Sequence, residues 1–165
     1  MKKFEKVNEK EYLILKLLGK GKGGYSYLVT DGKEKYVLKQ IHHEPCDYYQ
    51  FGNKIESEIN DYHRLKEIGI RIPVMLDADL HKERILKEYI EGKTISEIVA
   101  QNEMKPEYFR QIKEMCAALY RENLNIDYYP TNFIVQNEEL FYIDYECNTY
   151  DEKWDFENWG IKYWT

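Results

Sequence analysis

Residues 18–41 read LGKGKGGYSYLVTDGKEKYVLKQI, and the order of glycines, apolar runs and the Asp-Gly pair in this stretch decides the fold. Gly19, Gly21 and Gly24 satisfy G-x-G-x-x-G. In a dinucleotide-binding unit that spacing ends a strand and opens a helix, whose N-terminus holds the pyrophosphate. Here YSYLV follows, then Asp31-Gly32, then KYVLKQI, so two strand-like runs flank a turn dipeptide and form a hairpin. The dinucleotide reading fails for want of its helix. Glycines at the tip of a hairpin have another chemical use, because without a Cβ the backbone can lie against a triphosphate. A flexible surface turn is the bland alternative. Two registers stay open: Gly19, Gly21 and Gly24, or Gly21, Gly23 and Ser26.

Outward from this stretch, LILKLL (13–18) precedes it as a strand, and KIESEINDYHRLKEIG (54–69) follows as a helix. Ile55, Ile59, Tyr62, Leu65 and Ile68 recur at spacings of three and four, with Gly69 as C-cap and Pro73 beyond. VMLDAD (74–79) and RILKEYI (84–90) read as two more strands. PEYFRQIKEMCAALYREN (106–123) reads as a helix with Pro106 at its first position and a stripe of Phe109, Ile112, Met115, Cys116 and Leu119. NFIV and LFYID form a small hairpin across QNEE, and the tail 151–165, with its three Trp, reads as a short amphipathic helix. The order is α+β: five strands with one helix after the third, then a mainly helical half. A doubly wound parallel sheet needs regular strand–helix alternation, which is missing.

The chain has 165 residues, is 43% hydrophobic and 33% charged, and carries a net charge of −6. That length fits one domain or two packed lobes. The acidic balance argues against general nucleic-acid binding. No leader-like apolar segment and no membrane-length run occurs, and Cys46, Cys116 and Cys147 are odd in number without C-x-x-C, which together predict a cytoplasmic protein with reduced thiols. His42, His43, His63 and His81 suggest no metal site, and most of the sixteen Tyr read as packing, with Tyr48-Tyr49 and Tyr128-Tyr129 as candidates for stacking on a ligand.

Four pieces assemble a candidate site. The glycines are the first. Lys39 lies between apolar residues on the strand returning from the hairpin, where an ammonium needs a partner unless it points outward from an edge. A phosphate and a carboxylate would serve. The helix at 54–68 offers Glu56 and Glu58, roughly 200° apart around the axis. Glu58 borders the apolar stripe and is the expected partner; a plain surface charge is the alternative. Asp127 sits on a loop, Asn132 starts one hairpin strand and Asp144 ends the other. The hairpin brings Asn132 and Asp144 within reach of one Mg²⁺, and Asp127 is placed to orient a hydroxyl. Loop Asx residues that cap turns are the alternative.

LGKGKGGYSYLV, YVLK, IESEINDYHRLKEIGIRIPVML, ILKEYIEGKTI, NIDYYPTN and YIDYE, in this order, resemble the protein-kinase-like superfamily. They lie closest to its aminoglycoside phosphotransferase, choline kinase and RIO branch. The resemblance implies a bilobal fold, with a five-stranded antiparallel N-lobe sheet plus one helix (1–90) and a truncated, mainly helical C-lobe (91–165). It implies ATP and Mg²⁺ as cofactors. Lys39 would contact the α- and β-phosphates, Glu58 would hold Lys39, and the backbone from Glu88 to Ile90 would receive adenine. Asp127 would be the catalytic Asp, and Asn132 and Asp144 the metal ligands. Glu146 after the metal motif resembles small-molecule kinases, and Asp155 in YDEKWDFENWG resembles an Asp that braces the catalytic loop in choline kinases. Asn125 and Ile126 depart from the usual His and its neighbour, Tyr129 from a residue that assists the γ-phosphate, and Lys87 from an apolar position before the hinge.

The expected function is γ-phosphoryl transfer from ATP to a hydroxyl acceptor, a small molecule before a protein. A nucleotide-binding pseudokinase or regulatory module is the alternative, and a plain scaffold the third reading. An apolar patch on the short C-lobe would support a homo-oligomer or a protein partner.

Overall fold

A computed structural model describes residues 2–21, 23–42 and 53–165. His43, Cys46, Tyr48 and Tyr49 lie outside the described residues, as does Lys22 of the glycine stretch. The chain divides into two compact units, Met1–Ile59 with Pro73–Tyr89 and Asn60–Ile72 with Ile90–Thr165. An antiparallel sheet with a helix in one and helices with small sheets in the other is an architecture of the kinase-like kind.

The first unit is built on strands β1 (Phe4–Val7), β2 (Lys10–Lys20), β3 (Gly24–Thr30), β4 (Lys35–Ile41), β5 (Met75–Asp79) and β6 (Arg84–Glu88). They form one antiparallel sheet in the order β1-β2-β3-β4-β6-β5. The expected five strands are six, because FEKV pairs with the start of β2. That stretch is too short and too charged to announce a strand by alternation; the Asn8-Glu9 turn, with Asn8 at φ 54°, makes it one. One face of the sheet buries Val7, Tyr12, Val29, Leu38 and Leu86 against each other. Helix α1 (Lys54–Ile68) begins in this unit and continues into the second. Its expected stripe is covered, with Ile55, Tyr62 and Leu65 buried, and Gly69 closes it at φ 95° by donating to Leu65 O at 3.1 Å.

The second unit packs α2 (Ile95–Ala100), α3 (Pro106–Arg121) and the end of α1 around a core that includes Leu65, Ile112, Leu119, Tyr128, Phe133, Tyr142, Phe156 and Trp164. Thr94 and Glu97 form a reciprocal capping box on α2. Buried Gln111 of α3 donates to Glu138 O and accepts from Leu140 N–H, which fixes the loop of the small hairpin to the helix. That hairpin, β9 (Phe133–Gln136) with β10 (Glu139–Tyr142), gains a third strand, β7 (Lys93–Thr94). A second ladder joins β8 (Leu124–Ile126) to β11 (Cys147–Thr149). The tail is not the expected amphipathic helix but two 3-10 turns, Glu152–Trp154 and Gly160–Tyr163. Asp155 explains the break. Its buried carboxylate accepts from the Asn158 N–H at 2.7 Å and from the Tyr150 hydroxyl, which holds the intervening chain in a turn. Among the described residues, no helix is long and apolar enough to cross a membrane.

Candidate functional site

In the first unit the site is set by strand register. Gly21 N–H donates to Gly24 O at 2.9 Å, so the glycines close the β2–β3 hairpin. Gly24 is glycine for packing reasons: a Cβ there would lie 2.2 Å from the Gln40 carbonyl oxygen. Gly23 is different. A Cβ there would meet Lys39 Nζ at 3.7 Å, an ordinary contact, whereas one on Gly19 or Gly21 would meet nothing within 4 Å.

Lys39 is on β4, a central strand rather than an edge. Ser26 pairs with it on one side and Ile85 on the other, and one step along the same face Val37 lies between Leu28 and Lys87. This face is opposite the one that buries Leu38 and Leu86. Glu58 reaches Lys39 from α1, with Oε1 2.7 Å from Nζ and both side chains only 13% exposed. Glu56, the other carboxylate on that turn, is solvent-exposed. Glu58 Oε2 is buried with no hydrogen-bond partner among the described residues. Glu88 turns its side chain to the Val74 N–H at 3.1 Å and its own N–H to Val74 O. Ile90 is buried and opens the second stretch of the other unit. Sequence spacing gave no sign that Lys87 is buried, at 6% exposure, on the face that carries Lys39.

In the second unit β8 delivers the chain to Asp127, and a 3-10 turn at Pro130–Asn132 returns it to β9. Asp127 Oδ1 accepts the Tyr129 N–H at 3.1 Å, and the Asn132 side-chain amide donates to Asp127 O at 3.3 Å. Ile143 N–H donates to Asn132 O at 2.9 Å, which sets Asn132 beside the residue preceding Asp144. Asp144 Oδ1 accepts the Tyr145 N–H at 2.7 Å. Asp127, Asn132 and Asp144 are all half-buried.

The support under this loop was not legible beforehand. Tyr142 Oη accepts the Asp127 N–H at 3.3 Å and donates to Glu146 O at 2.7 Å, tying the two acidic stretches together. Burial holds its phenol far above the usual tyrosine range, so it keeps the proton it donates. Trp164 Nε1 donates to Tyr128 O at 2.8 Å, and Gly160 packs so closely that a Cβ would stand 2.6 Å from Tyr128 Cβ. Asp155, expected to brace the catalytic loop, has its carboxylate engaged by Tyr150 and Asn158 instead. The tail braces that loop through Trp164. Asn125, where the resemblance has histidine, donates to Asp151 O.

Among the described residues, no cluster of three His, Cys, Asp or Glu could by itself cage a metal. A magnesium ion that takes most of its oxygens from phosphate and water needs fewer protein ligands. Asp144 offers a carboxylate and Asn132 an amide oxygen whose NH₂ is already directed to Asp127 O. This donor set of hard oxygens fits Mg²⁺.

No protein-family profile matches the chain. It is 24% identical, over 88% of its own length, to a probable bifunctional tRNA threonylcarbamoyladenosine biosynthesis protein of Methanococcus vannielii. It is 24% identical, over 73% of its length, to the EKC/KEOPS complex subunit bud32 of Dictyostelium discoideum. The chain spans about a quarter of the first relative (27%) and about half of the second (53%). The similarity is distant and partial; it points to the protein-kinase-like superfamily, to no particular branch of it, and to a general role in nucleotide binding or phosphotransfer.

Proposed function

We propose that the chain transfers the γ-phosphoryl group of a magnesium-bound nucleoside triphosphate, ATP by its resemblance, to a hydroxyl acceptor that is a small molecule rather than a protein side chain. The observation that carries this reading is the buried Lys39–Glu58 pair on a central strand, with Gly23 of the glycine hairpin beside the Lys39 ammonium. Lys39 holds the α- and β-phosphates, and Glu58 keeps its ammonium in place. Gly21, Gly23 and Ser26 line the phosphates, with Gly24 serving the hairpin. Asn132 and Asp144 hold the magnesium ion, which neutralises charge on the phosphate oxygens. Asp127, fixed by the Tyr129 N–H and the Tyr142 hydroxyl, aims its carboxylate at the acceptor hydroxyl and orients or takes its proton. Little covalent work is asked of the protein; positioning and charge do the rest.

A second reading, nucleotide binding without transfer, is favoured by Tyr129. Tyr129 is 43% exposed, and its ring packs beside Trp159 and Tyr163, at the position where the resemblance expects a group on the γ-phosphate. Thermal shift with and without Mg-ATP, then nucleotide consumption against hydroxylated metabolites, separates the readings. Stabilisation with turnover supports transfer, stabilisation alone supports the regulatory module, and no response to any triphosphate removes both.

A further inference from the structure

The outer edge of the first unit carries an exposed apolar strip. Strand β1 runs beside β2 only from Lys10 to Leu13, and Lys3 O accepts the Ile14 N–H at 2.8 Å. From there to Lys20, β2 pairs with β3, and among the described residues no strand lies along its other side. Every residue from Leu15 to Gly21 is exposed. Leu15, Leu17 and Leu18 are 43%, 54% and 42% exposed, and Phe4 on β1 is 48% exposed. One exposed leucine is ordinary; three within four residues make a patch. Lys16 and Lys20 lie within the strip, and Lys2 and Lys3 beside its inner end. Lys3 reaches Glu5 at 3.7 Å and Lys20 stands over the Tyr25 ring, and both residues stay exposed. Residues 2–20 hold six lysines against three glutamates, in a chain of net charge −6.

Strand register narrows what covers this strip. The pairing with β3 slips between Ile14 and Lys16 and again between Leu17 and Gly19, so Leu15 and Leu18 are the extra residues of two bulges. Bulges and edge lysines are devices that keep another strand off a sheet edge, so neither a second copy nor an extended peptide is favoured there. A lipid interface needs no matching strand or groove. Apolar side chains enter the boundary between headgroups and acyl chains, and lysines stay at the headgroups. We propose that this edge docks the chain on an anionic lipid surface, with Leu15, Leu17 and Leu18 entering that boundary and Lys2, Lys3, Lys16 and Lys20 meeting the lipid phosphates. Attraction to such a surface reaches only about 8 Å at physiological salt, so the local basic edge outweighs the acidic remainder. Docking leaves the candidate site free. Leu17 pairs with Tyr27 and Tyr27 with Leu38, on the face opposite Lys39. The inference is therefore independent of the nucleotide reading.

The test is flotation of the full chain with vesicles of phosphatidylcholine alone and of an equimolar mixture of phosphatidylcholine and phosphatidylglycerol, at low and at high salt. The wild type should partition onto the anionic vesicles roughly tenfold more than onto the neutral ones and come off at high salt. Leu17→Ser with Leu18→Ser should weaken that partition roughly tenfold, and Lys16→Glu with Lys20→Glu should abolish it. All four positions are exposed, and melting curves check that the variants fold. Trp154→Ser, which alters an exposed ring of the other unit, should bind as the wild type does. The proposal is overturned if the wild type floats with neither vesicle, if it binds neutral vesicles equally well, if either double variant binds like the wild type, or if Trp154→Ser detaches. A dimer abolished by the leucine changes, with no vesicle binding, would assign the strip to a second copy and overturn the proposal as well.

Discussion

Lys39 and Glu58 hold each other, whereas Asp127, Asn132 and Asp144 are held by the main chain. In the first unit two opposite charges meet at 2.7 Å under cover of α1, a neutral pair that owes its place to strand register. In the second unit backbone N–H groups fix one oxygen of each aspartate, and the loop beneath them rests on a phenol and an indole. The difference teaches that the two halves fail differently. Removing one member of the first pair strands a buried charge and damages the fold. Neutralising an aspartate of the second half leaves its backbone contact in place and removes only charge, so chemistry is lost before stability.

That contrast can be broken by measurement. The largest expected effect is on turnover: Asp127→Asn should lower it roughly 10²–10⁴-fold with an unchanged melting temperature, as loss of a general base does. Asp144→Asn should abolish magnesium-dependent turnover, again with the fold intact. A melting temperature that collapsed with either change would put these residues in a structural role. Next in size, Lys39→Met should destabilise by about 3–5 kcal/mol, because Glu58 is left charged and buried. The double change Lys39→Met with Glu58→Gln should recover most of that loss, and a double variant as unstable as the single one would show that packing, not the ion pair, matters at this place.

Smaller effects sharpen the second half. Gly160→Ala should cost about 1–3 kcal/mol through its clash with Tyr128, read by denaturant midpoint. Tyr142→Phe leaves the Asp127 N–H without its acceptor; it should lower turnover while nucleotide affinity, read by calorimetry, stays put. An affinity that fell in step would make Tyr142 a folding residue only. The smallest effect is on pH. Asp31, whose carboxylate accepts the Glu34 and Lys33 N–H groups, is held down at about 2. Asp79 is likewise lowered by the Lys82 and Asn8 N–H groups. A lowered carboxylate stabilises above its unfolded value and loses that contribution as pH falls through its folded value. The first unit should therefore weaken as pH drops from about 4 towards 2, and Asp31→Asn should flatten that slope.

The sequence was readable where a side chain's neighbours are fixed by period. The α1 stripe placed Glu58 towards Lys39, and the hairpin signal at Asp31-Gly32 placed Lys39 on a returning strand. It was unreadable where a contact joins residues far apart without a period. Nothing in FEKV announces a sixth strand, since its partner register depends on a turn with Asn8 at positive φ. Nothing near Tyr142 announces a hydroxyl that serves Asp127, because that bond crosses the β8-to-β10 region. Asp155 was read by analogy as a brace, and its own turn takes up its carboxylate. Lys87 was noticed as a departure, but its burial on the Lys39 face follows only from pairing with Val37.

The central claim is that Lys39 anchors a magnesium-bound nucleoside triphosphate on the sheet face beside Gly23. The direct measurement is calorimetric binding of Mg-GTP and Mg-ATP to the wild type and to the Lys39→Met, Glu58→Gln double variant, whose fold is confirmed by its melting curve. Saturable binding to the wild type that disappears in the folded double variant is the predicted result. Equal binding to both proteins, or none to the wild type, would contradict it.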